Sequence, residues 1–79
     1  MKTKQQLKLK NRLRVYRAER RISQRELADD VGVTRATINA IEGEDYNPSL
    51  ELAFRIARYF GAPLESIFSA HEGEQGEQV

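Results

Sequence analysis

Apolar residues recur every three or four positions along most of this chain, which is the spacing of helices that each turn one face towards a shared core. In the middle of the chain, Leu27, Ala28 and Val31 fall on one such face. Ile38 and Ile41 repeat the pattern a few residues later. The spacing predicts helices at about residues 12–20, 24–31, 35–42, 50–60 and 64–68.

The two central helices are joined by a short turn that contains a glycine. Ser23 and Glu26 have the Ser-x-x-Glu spacing of a capping box, so the first of these helices begins at about residue 24. Gly32 can adopt the left-handed conformation that often ends a helix, and Thr34 is a good N-cap for the next one. A turn this tight brings two helices together at a steep angle.

The other helices have similar end signals. Asn11 and Ser49 are predicted N-caps, Gly61 is a helix stop, and Pro63 can open the last helix. The inward-facing positions are Leu13, Tyr16, Arg17, Ile22, Leu50, Ala53, Ile56, Ala57, Phe60, Leu64, Ile67 and Phe68. Three residues fall outside this stripe and are candidates either for a dimer contact or for ordinary surface: Leu52, Phe54 and Tyr59.

The face of the 35–42 helix opposite its two isoleucines has an unusual composition. At about 100° per residue, that face carries Arg35, Ala36, Asn39 and Ala40. Arginine pairs with guanine in the major groove of DNA, asparagine pairs with adenine, and a methyl group permits close approach. A mixed solvent-exposed surface would have the same composition, but the capped helix and the turn before it favour DNA binding.

Several of these residues form a pattern that is similar to that of a known protein family. The relevant residues are Ser23-Gln24, Glu26-Leu27-Ala28, Val31-Gly32-Val33-Thr34-Arg35, Ile38, Ile41-Glu42 and Tyr46-Asn47-Pro48-Ser49-Leu50. At this spacing the chain resembles, over about residues 11–68, the helix-turn-helix regulators of the lambda-repressor and Cro type, also called the XRE family. The resemblance implies an all-α, compact five-helix domain that binds double-stranded DNA sequence-specifically, usually as a homodimer.

The candidate DNA contacts lie in the two central helices and the turn between them. Among them, we expect Arg35 and Asn39 to read bases. Gln24, at the N-terminus of its helix, is expected to hold a phosphate. The full set is Gln24, Thr34, Arg35, Ala36, Thr37, Asn39 and Ala40.

The resemblance also implies a largely buried ion pair between Arg17 and Glu42; the alternative is that both side chains extend separately into solvent. The chain departs from the family pattern at Gly43-Glu44-Asp45, where Asn-Gly-Lys or a similar run is usual. Carboxylates next to a DNA backbone repel it. Either this loop points away from the duplex, or binding is weaker or at a different angle.

The composition restricts the possible functions. The 79 residues form one small domain without cysteine, and no apolar run is long enough to cross a membrane. His71, the only histidine, has no metal-ligand or acid-base partners near it in sequence, and no nucleophile has a plausible base. We therefore expect a cytoplasmic protein that is not an enzyme and binds no cofactor or metal.

The net charge of +1 conceals an uneven distribution. Residues 1–21 contain nine Lys or Arg and one acid, whereas residues 22–79 contain four against eleven acids. We interpret residues 1–10 as a mobile basic arm that contacts phosphates, residues 11–69 as the domain, and residues 70–79 as a disordered acidic tail. Two alternatives for the arm remain open: a short edge strand in which Leu7 and Leu9 alternate with lysines, or an extension of the first helix.

The leading hypothesis is a transcriptional regulator, most simply a repressor, that binds a pseudo-palindromic DNA site as a homodimer. The alternative is a protein-interaction module on the same fold, such as the antitoxin partner of a toxin. The acidic loop and the outward apolar residues of the 50–60 helix favour that alternative. RNA is a weaker candidate, because its deep, narrow major groove does not admit a helix.

Overall fold

A computed structural model of the protein describes residues 7–72, which form five helices and two short strands. In chain order these are β1 (Leu7–Asn11), α1 (Leu13–Arg20), α2 (Gln24–Val31), α3 (Arg35–Glu42), α4 (Leu50–Phe60), α5 (Leu64–Ile67) and β2 (Phe68–Glu72). All five predicted helices are confirmed, each with ends within one residue of those expected. The all-α prediction is right for the helices but omits the two strands.

The two strands pair in antiparallel fashion, with Leu7 opposite Glu72 and Asn11 opposite Phe68. The interpretation of residues 1–10 as a mobile arm is therefore wrong for residues 7–10, where the edge-strand alternative is confirmed. The interpretation of residues 70–79 as a disordered tail is likewise wrong for residues 70–72. The ladder hydrogen bonds of each strand come from the other, which lies at the opposite end of the described chain. Residues 1–6 and 73–79 lie outside the part that the structure describes.

The helix ends follow the predicted caps, with one change. Ser23 and Glu26 form the complete capping box, Thr34 caps α3, and Ser49 caps α4. Asn11 is not the N-cap of α1, since that position is taken by Arg12. The Asn11 side chain instead accepts a hydrogen bond from the Leu13 amide at 3.1 Å and donates one to the Ile41 carbonyl at 2.8 Å. It thereby ties the start of α1 to α3.

The core lies between the helices and is closed by the first residue of β2. Its fully buried large side chains are Leu13, Leu27, Ile38, Ile41, Ile56 and Ile67. Two predictions for α4 are wrong: Leu50, expected inside, is 67% exposed, and Leu52, expected outside, is only 5% exposed. Leu50 is the first residue of the helix, where the core no longer covers the chain, and the buried stripe passes through Leu52 instead.

The loop after α3 contains a strained residue. Gly43 has an ordinary φ of −81°, whereas Glu44, which follows it, has a φ of +63° in the left-handed region. A residue with a side chain costs about 1–2 kcal/mol in that region. The left-handed turn therefore falls on a glutamate, although a glycine stands one position earlier. The loop lies beside β1, and the two border a cleft of about 180 Å³.

The predicted ion pair between Arg17 and Glu42 is confirmed, and it joins α1 to the end of α3. The Arg17 Nε lies 2.7 Å from Glu42 Oε2, and Nη2 lies 3.2 Å from Oε1. The Glu42 side chain is 1% exposed and that of Arg17 is 17% exposed. A third donor of Arg17, Nη1, reaches the Ile22 carbonyl at 2.9 Å, so the guanidinium also secures the turn after α1.

The surroundings of Glu42 favour its ionised form. Burial raises the pKa of its carboxyl, but the hydrogen bonds from Arg17 and Gln24, together with the charges of Arg17 and Arg14, outweigh burial. The net result is a pKa below the ordinary glutamate value. Glu42 is therefore a buried carboxylate that stays charged at neutral pH.

We predict that Glu42→Ala destabilises the fold by about 3–5 kcal/mol, because it leaves the Arg17 charge without its buried partner. The matched control is Glu51→Ala, which removes a carboxylate paired with Arg55 at the surface and should leave the free energy of unfolding almost unchanged. Chemical denaturation of the three proteins measures the difference. Equal stabilities for Glu42→Ala and the parent would contradict a buried pair.

We also predict a specific acid dependence. Because the pKa of Glu42 is lower in the folded than in the unfolded state, its contribution to stability is complete above the unfolded value of about 4.3. It is lost as pH falls through the folded pKa. Glu42→Gln removes this titration, so its free energy of unfolding should fall less steeply than the parent's below about pH 4.3. Urea unfolding at a series of pH values tests this, and parallel curves would refute it.

Candidate nucleic-acid interface

The turn between α2 and α3 sets the angle at which the two helices meet. Gly32 ends α2 with a φ of +82°, and its amide donates to the Ala28 carbonyl at 2.8 Å. The Val33 amide donates to the same carbonyl at 2.9 Å. From α4, Arg55 donates to the carbonyl of Val31, so the turn is also held from behind. The predicted left-handed glycine at this corner is confirmed.

The outward side of α3 presents the residues expected from its periodicity. Arg35, Ala36 and Asn39 are exposed, and Thr37 and Ala40 are half-buried. Thr34 is exposed at the start of the helix, where its Oγ1 lies 3.0 Å from Thr37 Oγ1 and accepts from the Thr37 amide at 3.2 Å. Ile38 and Ile41 lie beneath this surface in the core, so the exposed side chains stand on a fixed base.

Gln24 connects this surface to the buried ion pair. Its side-chain nitrogen Nε2 lies 3.0 Å from Glu42 Oε1 and 3.2 Å from Asn39 Oδ1. Arg14, an exposed residue of α1, adds a second arginine 3.4 Å from the same carboxylate oxygen. Glu42 therefore has partners on α1 and on α2, and one of those partners touches the exposed face of α3.

The helix N-termini add hydrogen-bond donors to the same region. The first backbone amides of a helix have no partner within the helix and carry its positive dipole end. In α2 these are the amides of Gln24 and Arg25, since Ser23 takes up the next one, that of Glu26. Such a group of amides binds phosphate or another anion.

The sequence analysis assigned the candidate contact residues to the correct helices and turn but missed the hydrogen bonds and the ion pair that link them. All seven predicted contact residues lie on α2, on α3 or in the turn between them. The hydrogen bond from Gln24 to Asn39 and the pairing of Arg14 with Glu42 were not foreseen. Both contacts depend on the angle and position at which two helices pack together, and these cannot be read from residues that are close in sequence.

Neither a metal cluster nor a membrane span is found among the described residues. No group of three or more His, Cys, Asp or Glu residues there could hold a metal ion. Within residues 7–72, none of the helices has the length and apolar character needed to cross a bilayer.

Comparison with known proteins gives consistent results. A family model described as helix-turn-helix matches residues 13–67. An uncharacterised helix-turn-helix transcriptional regulator of Methanocaldococcus jannaschii is 48% identical over 66 residues, which cover 84% of this chain and 100% of that protein. A transcriptional repressor of the cryptic phage CTXphi in Vibrio cholerae, RstR, is 30% identical over 87% of this chain and 62% of its own length.

The fold is also found among solved structures. The crystal structure of a proposed DNA-binding protein from Bacteroides fragilis superposes with a TM-score of 0.70, covering 77% of this chain and 98% of that one. Its sequence identity is 24%, so this likeness concerns the fold. The family model spans more than half of the chain, and the relative from M. jannaschii matches over its full length. The chain therefore belongs to the helix-turn-helix family of transcriptional regulators.

Proposed function

We propose that this protein is a sequence-specific DNA-binding repressor that recognises a pseudo-palindromic operator as a homodimer. The observation that supports this most is the exposed face of α3, where Arg35 and Asn39, one helical turn apart, are both exposed and lie beside the small residue Ala36. An α-helix fits the major groove, and these two side chains are suited to guanine and adenine respectively. The two α3 helices of a dimer would enter successive grooves about 10 to 10.5 base pairs apart.

The other residues of the interface have supporting roles in this proposal. Thr34 and the first amides of α2 and α3 hold phosphates on either side of the groove. Ala36, Thr37 and Ala40 allow close approach of α3 to the bases. Repression rather than activation is favoured by RstR, the relative named as a transcriptional repressor.

Selection of binding sites from random duplexes tests the proposal, and it should enrich one two-fold symmetric sequence. On that duplex, Arg35→Ala should cost about 1–3 kcal/mol of binding free energy, with little loss on unrelated DNA. Arg58→Ala removes the same charge from the exposed last turn of α4 and is the control. Equal losses of binding free energy on both duplexes would mean that Arg35 contacts only phosphate and reads no base.

An apolar groove supports the homodimer. It has a volume of about 390 Å³ and is lined by Leu9 of β1, Pro48, Leu50 and Ala53 around the start of α4, Leu64 of α5 and Phe68 of β2. Leu50 projects from its edge, and Phe54 is exposed one turn further along α4. The segments outside the described residues contain only Met1 and Val79 as apolar residues, so the chain itself offers little to cover the groove. A second copy supplies the same apolar surface in return.

We predict that Leu50→Glu converts the dimer to a monomer, because a charge at the edge of the groove must then be buried. Val15→Glu, at an exposed position on α1, should leave the dimer intact. Sedimentation equilibrium gives the masses. A dimer that persists in Leu50→Glu would contradict this interface. A parent that is monomeric but binds a different protein through Leu50 would favour the interaction-module alternative.

A further inference from the structure

The hydrogen bonds of Gln24 run in a direction that chemistry dictates. Glu42, ionised against Arg17, can only accept hydrogen bonds. The Gln24 atom at 3.0 Å from Glu42 Oε1 must therefore be its nitrogen, Nε2. This orientation does not depend on any choice between the two ends of the glutamine amide.

The second contact of Gln24 follows from the first. An amide nitrogen has two hydrogens, and the one that Glu42 does not receive points to Asn39 at 3.2 Å. A donor requires an acceptor, so Asn39 must turn Oδ1 towards Gln24. Its own nitrogen, Nδ2, is then left on the open side of α3 with both hydrogens available. The buried carboxylate thereby determines, through Gln24, which end of an exposed amide faces outward.

We propose that Gln24 is a positioning residue, which fixes the side-chain amide of Asn39 so that Nδ2 is presented to the bases of the operator. This rests on the proposed function. Because both hydrogens of Gln24 Nε2 are engaged, any phosphate contact at this position runs through its backbone amide at the start of α2 rather than through its side chain.

The orientation has a consequence for base preference. An asparagine that offers Nδ2 favours bases with an acceptor in the major groove, such as N7 of adenine or guanine and O4 of thymine. Adenine remains compatible with a two-bond contact, since Oδ1 retains a second lone pair. Cytosine, which offers only an N4 donor there, is disfavoured, because that donor can bond to Oδ1 only while Nδ2 is left without an acceptor. A freely rotating asparagine could turn Oδ1 fully towards that donor and Nδ2 towards water, so it would discriminate less against cytosine.

The test is a double-mutant cycle on the selected duplex and its single-base variants, measured at one salt concentration. Gln24→Ala should lower the preference for the selected base over cytosine about tenfold. This loss should occur at the same base pair whose recognition Asn39→Ala impairs. The double variant should be no less selective there than Asn39→Ala alone. Combining Gln24→Ala with Arg35→Ala serves as the control, and those two losses should add. A uniform loss on selected and unrelated duplexes would overturn the proposal.

A second measurement needs no DNA and separates the positioning role of Gln24 from the proposal that the protein binds DNA. In the free protein, nuclear magnetic relaxation of the Asn39 side-chain amide should show restricted motion that Gln24→Ala releases. The exposed Asn47 in the loop before α4 is the internal reference. If Asn39 moves as freely as Asn47 in the parent protein, the positioning role is refuted. If Asn39 is ordered but no duplex is enriched by selection, the DNA-binding proposal fails instead.

Discussion

A single buried carboxylate organises this domain. Glu42 ends α3, receives two hydrogen bonds from Arg17 of α1 and one from Gln24 of α2, and is almost free of solvent contact. Removing a charge from water is costly, and the cost is recovered only when its oxygens are well paired. The helices that supply those partners are therefore held in one arrangement, because a shift of either would leave the charge unsatisfied.

The same requirement connects stability with recognition. A core of isoleucine and leucine tolerates small displacements, since its contacts have no direction. Hydrogen bonds to Glu42 do have direction, and they fix the rotation of α3 about its own axis as well as its distance from α2. Because the rotation and position of α3 are fixed, the directions in which its exposed side chains point are fixed as well. The buried side chains of the described residues form one small core, so a single directional contact has a large share in defining the surface.

The sequence predicted what depends on neighbours in the chain. The capping box at Ser23, the left-handed Gly32 and the outward face of α3 all follow from residues within one or two turns of each other. The pairing of Arg17 with Glu42 came from family resemblance rather than from spacing. The side of α4 that is buried was misjudged at Leu50 and Leu52, because the stripe on an apolar helix is decided by its packing partners.

The strands could not be predicted as firmly as the helices, because each has a partner at the opposite end of the described chain.

The pairing of the two strands has a topological consequence. Leu7 and Glu72 lie side by side, so the polypeptide enters and leaves the domain at one corner. A short peptide joining that corner would close the chain into a ring without disturbing the core. New ends could then be opened in the loop after α3, with the order of the helices along the polypeptide changed and their contacts kept.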